Sequence, residues 1–136
     1  MNFDANVNNQ LTRNDFAIII ALNRHLADIQ PVRLVYTGSD YKAGTVLGRV
    51  TASGYYKPYN DANSDGTQVA KGILFEDVLV DDFLAQGPSL TGLAMARCLF
   101  AGYVFKDKLT GLDTAGETDL SAKTIIDASG VSILKF

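Results

Sequence analysis

The chain has 136 residues, of which 47% are apolar and 20% charged, with a formal net charge of −3; that fits one globular domain and excludes a disordered chain. Lys and Arg are scattered and outnumbered by Asp and Glu, 12 to 15, which excludes the basic stripe of a nucleic-acid-binding protein. No run reaches the ~18 apolar residues of a membrane span, and a single cysteine, Cys98, excludes an intrachain disulfide or a Cys-based zinc cluster.

Residues 1–11 are polar and Asn-rich, with Phe3, Val7 and Leu11 as their large apolar residues. Asn and Asp favour turns over helix interiors, so this stretch is expected to be a flexible arm. Residues 13–29 carry a helical signal. Thr12 and Asp15 have capping-box spacing, and Phe16, Ile19, Ile20, Leu22, Leu26 and Ile29 fall on one face at 3.6 residues per turn. Arg24 and Asp28 form an i,i+4 pair on the other face, and Pro31 is expected to stop the helix. The β-branched run Ile18-Ile19-Ile20 is the competing strand signal.

From Val32 the pattern becomes short strands punctuated by glycine. Strands are predicted over 32–36, 45–50 and 55–59, the last at an edge because Pro58 cannot donate to a ladder. Asn60 to Gly66 is a loop. A strand centred on 72–75 follows, then a loop or short helix over 81–91. A long apolar strand over 93–105 is interrupted by Gly102, a short helix over 112–122 starts at Asp113 or Thr114, and a closing strand spans 131–136. Strands adjacent in sequence without intervening helices argue for antiparallel pairing. The reading is a mainly β (α+β) fold: an N-terminal arm and helix over 1–30, and a small antiparallel β domain over 31–136 with a short C-terminal helix.

The local motif closest to a known chemistry is Asp61-Ala62-Asn63-Ser64-Asp65-Gly66, which matches the first half of a calcium loop. Asp61, Asn63 and Asp65 would be the oxygen ligands, but the position of the bidentate Glu is Gly72. The incomplete set favours a polar turn, so no metal is expected. His25 is the only histidine, no nucleophile elbow accompanies it, and a surface or interface role is expected. The glycines of Gly44-Thr45-Val46-Leu47-Gly48-Arg49 have neither P-loop nor dinucleotide spacing. Glu76, Asp77, Asp81 and Asp82 are read as solvated charge, and Cys98 as a small buried residue. Tyr55, Tyr56 and Tyr59, if exposed, could stack on sugars, which makes a carbohydrate- or ligand-binding β domain one alternative reading, and another structural subunit of a virion head or tail is the other.

Three stretches carry a family resemblance. Lys42-Ala43-Gly44-Thr45-Val46-Leu47-Gly48-Arg49-Val50-Thr51 resembles the opening strand of the phage head decoration proteins related to that of lambda. Tyr56-Lys57-Pro58-Tyr59, the Asn/Asp loop and Val69-Ala70-Lys71-Gly72-Ile73-Leu74-Phe75-Glu76-Asp77-Val78 resemble the next block. Leu109-Thr110-Gly111-Leu112-Asp113 with Asp119-Leu120 is similar to the C-terminal block. The blocks keep the family's order over residues 42–126, while residues 1–36 are longer than the family's short arm and 79–93 looks expanded. The resemblance implies a non-enzymatic virion protein without cofactors, bound to the major capsid protein on the outer surface of the expanded head as homotrimers, and stabilising it. With no basic leader in Met1-Asn2-Phe3-Asp4, synthesis in the host cytoplasm is expected. Phe3, Val7 and Leu11 are the expected capsid anchors.

Overall fold

The protein's structure, a computed structural model, describes residues 27–84, 93–126 and 130–136. It is mainly β. Five strands close a barrel: β1 (Asp28–Val35), β2 (Val46–Arg49), β3 (Tyr56–Pro58), β4 (Ala70–Leu74) and β5 (Leu93–Ala101), in the spatial order β1-β3-β2-β4-β5. A short helix, α1 (Val80–Leu84), follows β4. After β5 the chain builds a second sheet from β6 (Tyr103–Phe105), β7 (Lys123–Ile126) and β8 (Ser132–Lys135), ordered β6-β8-β7. A 3₁₀ turn (Lys106–Lys108) and helix α2 (Thr114–Asp119) lie between β6 and β7. Among the named strands the pairings are antiparallel except β1 with β3, which is parallel at Leu34 opposite Tyr56.

Side chains alternate across a strand, and here that alternation feeds two cores. Leu34, Leu47, Leu74, Ala96 and Cys98 point into the barrel, which Phe83 of α1 closes by stacking its ring near Tyr36 and Tyr41. Val46, Ile73, Phe75 and Leu99 point the other way and pack under Val104 and Leu134 of the second sheet. Parts of β2, β4 and β5 are therefore buried on both sides, which explains apolar runs such as Ile73-Leu74-Phe75 that do not alternate with polar residues.

Close contact requires glycine within the strands at Gly72 and Gly48. A Cβ on Gly72 would lie 2.6 Å from Cys98 Sγ, and one on Gly48 would lie 2.6 Å from Thr67 Cα. Gly102, with φ 150°, ends β5 and starts β6, as the interruption in the apolar run predicts.

Several expectations need correction. Most of the 13–29 helix lies outside the described residues, but its last two positions, Asp28 and Ile29, belong to β1. Asp28 accepts a hydrogen bond from the Gln30 amide on the same strand. Pro31 stops nothing and sits within β1. Its partner Arg97 turns its N–H to the Glu76 carboxylate and its C=O to the Phe75 N–H, away from β1. Pro31 thus occupies a position with no ladder bond to β5, where a missing donor costs little.

Pro58 is not at an edge either, because β3 lies between β1 and β2. Val50 N–H donates to Tyr55 C=O, and Tyr59 N–H to Val46 C=O. Bonds to β2 therefore fall at alternate residues, and Pro58, opposite Leu47, turns away from them. The helix over 112–122 shortens to Thr114–Asp119 with Asp113 as its N-cap, and just past its predicted end an unpredicted element, β7, begins at Lys123.

Candidate interaction surface

Asp113 joins the two parts of the fold. Its carboxylate caps α2 by accepting from the Gly116 N–H at 2.7 Å, and the same oxygen accepts from the Tyr59 hydroxyl at 2.7 Å. These bonds hold the Asp113 carboxyl below the usual range, the tyrosine contributing most. Tyr59 is only 5% exposed, and burial, then the carboxylate, raises its hydroxyl above the usual tyrosine value. At the other end of α2, Asp119 accepts from the Ala70 N–H at 3.0 Å.

The loop after Tyr59 closes on itself. Asp65 accepts from the backbone N–H of Thr67 at 3.1 Å and from its hydroxyl, and pairs with Lys57. Asn63 donates to the Thr67 hydroxyl at 2.8 Å, and Asn60 takes the Ala62 N–H at 2.9 Å. Lys57 first, then Thr67, holds the Asp65 carboxyl well below the usual range. Of the three candidate calcium ligands, Asp65 is thus committed to Lys57 and Thr67, Asn63 presents its amide N–H to Thr67, and Asp61 is exposed. Among the described residues no three His, Cys, Asp or Glu side chains gather as a metal-holding group.

The three tyrosines do not form a shared sugar platform, because Tyr59 is in the core. Tyr55 and Tyr56 instead line a groove of about 370 Å³ between the start of β1 and the β2–β3 turn. Its floor includes Tyr56 and Phe100, edge to face at 6.0 Å, and its walls carry Arg33 and Arg49. Burial raises the Tyr56 hydroxyl above its usual value, and Arg49 works against that rise. Sequence reading placed Arg33 and Arg49 among scattered charges. Arg33 stands on the outer face of β1 between the inward Val32 and Leu34, Arg49 shares the face of Leu47 at the end of β2, and only the barrel closure brings them to one groove.

The acidic pairs are not all solvated. Glu76 pairs with Arg97 at 3.3 Å and takes its backbone N–H at 2.7 Å, while the Arg97 guanidinium lies 4.6 Å over the Phe75 ring. Asp77 accepts from the Ala43 N–H at 2.7 Å, and Asp82 from the Leu79 N–H at 2.8 Å. The chain leaves β4 before Glu76, so these side chains escape strict strand alternation and can reach backbone donors. Cys98 is fully buried, and burial pushes its thiol up to about 12. Large apolar side chains stand exposed at Leu79, Met95, Ile125 and Ile126, the last 67% exposed on β7. Phe3, Val7, Leu11 and His25 lie outside the described residues. Among the described residues the perturbed groups trace to burial or to structural bonds.

A family model described as bacteriophage lambda head decoration protein D matches residues 29–100, just over half of the chain. The chain belongs to that family. It is a phage head decoration protein, with a structural role at the capsid, and the family is structural rather than enzymatic. The matched region runs from β1 into β5 and so spans the barrel. It starts earlier than the resemblance over 42–126, taking in residues 29–36, and it ends before the block at Leu109–Asp113. No curated protein and no solved structure matches.

Proposed function

We propose that the protein binds the outer face of the expanded phage head as homotrimers at three-fold positions and cements the major capsid protein lattice. The observation that carries this reading is the family match across the barrel. A closed ring of three uses a heterologous interface, which need not be self-complementary. The exposed Ile125 and Ile126 on β7, an outer strand of the small sheet, offer apolar surface for contact between copies. A subunit that binds only the expanded lattice stabilises it by mass action, and three linked contacts add avidity. In this reading Phe3, Val7 and Leu11 anchor residues 1–11 on the capsid. The net charge of −3 supports a partner other than the genome, and synthesis in the host cytoplasm precedes assembly on the virion surface.

The test is co-sedimentation of the purified protein with expanded and unexpanded heads of its phage. The expected result is saturable binding to expanded heads alone, at about three copies per three-fold position. Removing residues 1–11 is expected to abolish binding while the thermal midpoint stays unchanged. Equal binding to both head forms would overturn the cementing role, and full binding by the shortened protein would overturn the arm contact.

A further inference from the structure

The groove between β1 and the β2–β3 turn has a backbone feature that follows from the register. Leu34 opposite Tyr56 is the single pairing of β1 with β3. Arg97 turns its backbone away from β1, so Pro31, its partner, and Arg33, two residues on, turn their backbone groups away from β5 and toward the β3 side. A chain continuing β3 backward in a straight line would meet them. It does not continue: Gly54 has φ +78° and donates to the Val50 C=O, which closes the turn and takes the chain off the ladder. The C=O of Pro31 and the N–H of Arg33 are left facing the groove with no partner strand among the described residues. They have the spacing that one residue of a parallel strand fills with its own N–H and C=O.

The side chains add charge. Arg33 and Arg49 are both exposed, and neither is held in an ion pair among the described residues. Arg97, on the neighbouring strand, is by contrast already paired with Glu76. Two guanidinium groups without an ion-pair partner among the described residues thus flank one groove. They are suited to carboxylates, which they bind through charge-assisted, forked hydrogen bonds.

We infer that this groove docks an extended acidic peptide segment of a partner, its backbone added beside β1 at Pro31 and Arg33 and its carboxylates held by Arg33 and Arg49. The two backbone groups favour a peptide over other anions, because an extended chain supplies an amide donor and acceptor at strand spacing. Pro31 limits the addition. Its nitrogen has no hydrogen to give, so a neutral strand gains few ladder bonds and the carboxylates decide whether binding occurs. The site shares no residue with the proposed arm contact.

The test is fluorescence anisotropy with the full chain and a labelled peptide of alternating Glu and Thr, at low ionic strength where surface charges are weakly screened. Saturable binding is expected, with no binding of the matching Lys–Thr peptide. The double variant Arg33→Gln, Arg49→Gln is expected to weaken it at least about tenfold, with the circular dichroism spectrum and thermal midpoint unchanged because both side chains are exposed. Absence of saturable binding to the Glu–Thr peptide would overturn the proposal, as would undiminished binding by the double variant. Equal affinity for oligogalacturonate, or for a Glu–Thr peptide with methylated backbone nitrogens, would also overturn it, by showing that the charge alone is bound. No capsid is present in the assay, so its outcome is independent of the head-binding test.

Discussion

Replacing Gly48 by Ala puts two physical arguments in opposition. Gly48 lies in β2 and does not need a positive φ. Backbone preference alone would therefore make Ala stabilising by about 0.5–1 kcal/mol. The structure predicts the reverse. The added Cβ would lie 2.6 Å from Thr67 Cα, 2.8 Å from Thr67 O and 2.9 Å from Thr67 Cβ, where ordinary contact begins at 3.4 Å. Thr67 is fully buried, and it is backbone, not a flexible side-chain end, that must retreat. Its carbonyl accepts from Asn60 N–H at 3.1 Å, its N–H donates to Asp65 at 3.1 Å, and its hydroxyl accepts from Asn63 at 2.8 Å. Overpacking by one methyl costs about 1–3 kcal/mol, and each loosened hydrogen bond about 1 kcal/mol. The expected loss is about 3–5 kcal/mol, a large part of the ~5–15 kcal/mol that holds a domain together. A thermal melt followed by circular dichroism should show a fall on the order of 10 °C. Gly38→Ala is the control: Gly38 has φ +89° and nothing within 4 Å of its added Cβ, so it bears only the left-handed backbone cost of about 1–2 kcal/mol. If Gly48→Ala melts at or above the Gly38→Ala variant, the close approach of β2 to the 60–69 loop is wrong.

Two further predictions concern titration and access. The Asp65 carboxyl is held below its usual range in the fold, so it contributes stability at neutral pH that is lost as pH falls below the ordinary carboxylate value. Asp65→Asn should lower the thermal midpoint at pH 7 and reduce its decline between pH 5 and about pH 2; an unchanged slope would show that Lys57 and Thr67 do not hold the carboxylate. Cys98 is fully buried with its thiol pushed up to about 12, so a thiol reagent at pH 8 should label it only after denaturant is added. Rapid labelling of the native protein would contradict the packing of β5 against β4.

The strands were legible where apolar residues met glycine punctuation, and the Asp113 cap was legible from its place before a polar turn of helix. The family could be suspected from the order of its blocks. Three things were hidden. Pro31 and Pro58 are helix and ladder breakers in a one-dimensional reading, but each occupies a position where the register asks for no bond. Lys123 to Ile126 is exposed at every position, so β7 has no alternation to reveal it and exists because β8 pairs with it. Tyr59 looked like its neighbours Tyr55 and Tyr56, and only a carboxylate 54 residues away in sequence explains its burial. The groove with Arg33 and Arg49 belongs to the same kind of fact: β1 and β2 are not consecutive in the sheet, and only β3 between them brings the two residues to one groove.

The order of the strands along the chain has a consequence for how the molecule is made. The five barrel strands all lie between Asp28 and Ala101, and the three strands of the small sheet all lie between Tyr103 and Lys135. Chains emerge from the ribosome N-terminal part first and fold in units, so the barrel can form before the second sheet exists. The strand that joins that sheet, β8, is its last in sequence. Until Ser132 to Lys135 arrive, β6 and β7 have nothing to pair with, and the outward apolar side chains Val46, Ile73 and Phe75 have no cover from Leu134. A nascent chain stopped short of β8 would carry a finished barrel whose apolar flank lacks the cover of Ile133 and Leu134, a form that a cell's proteases and chaperones can tell from the complete one.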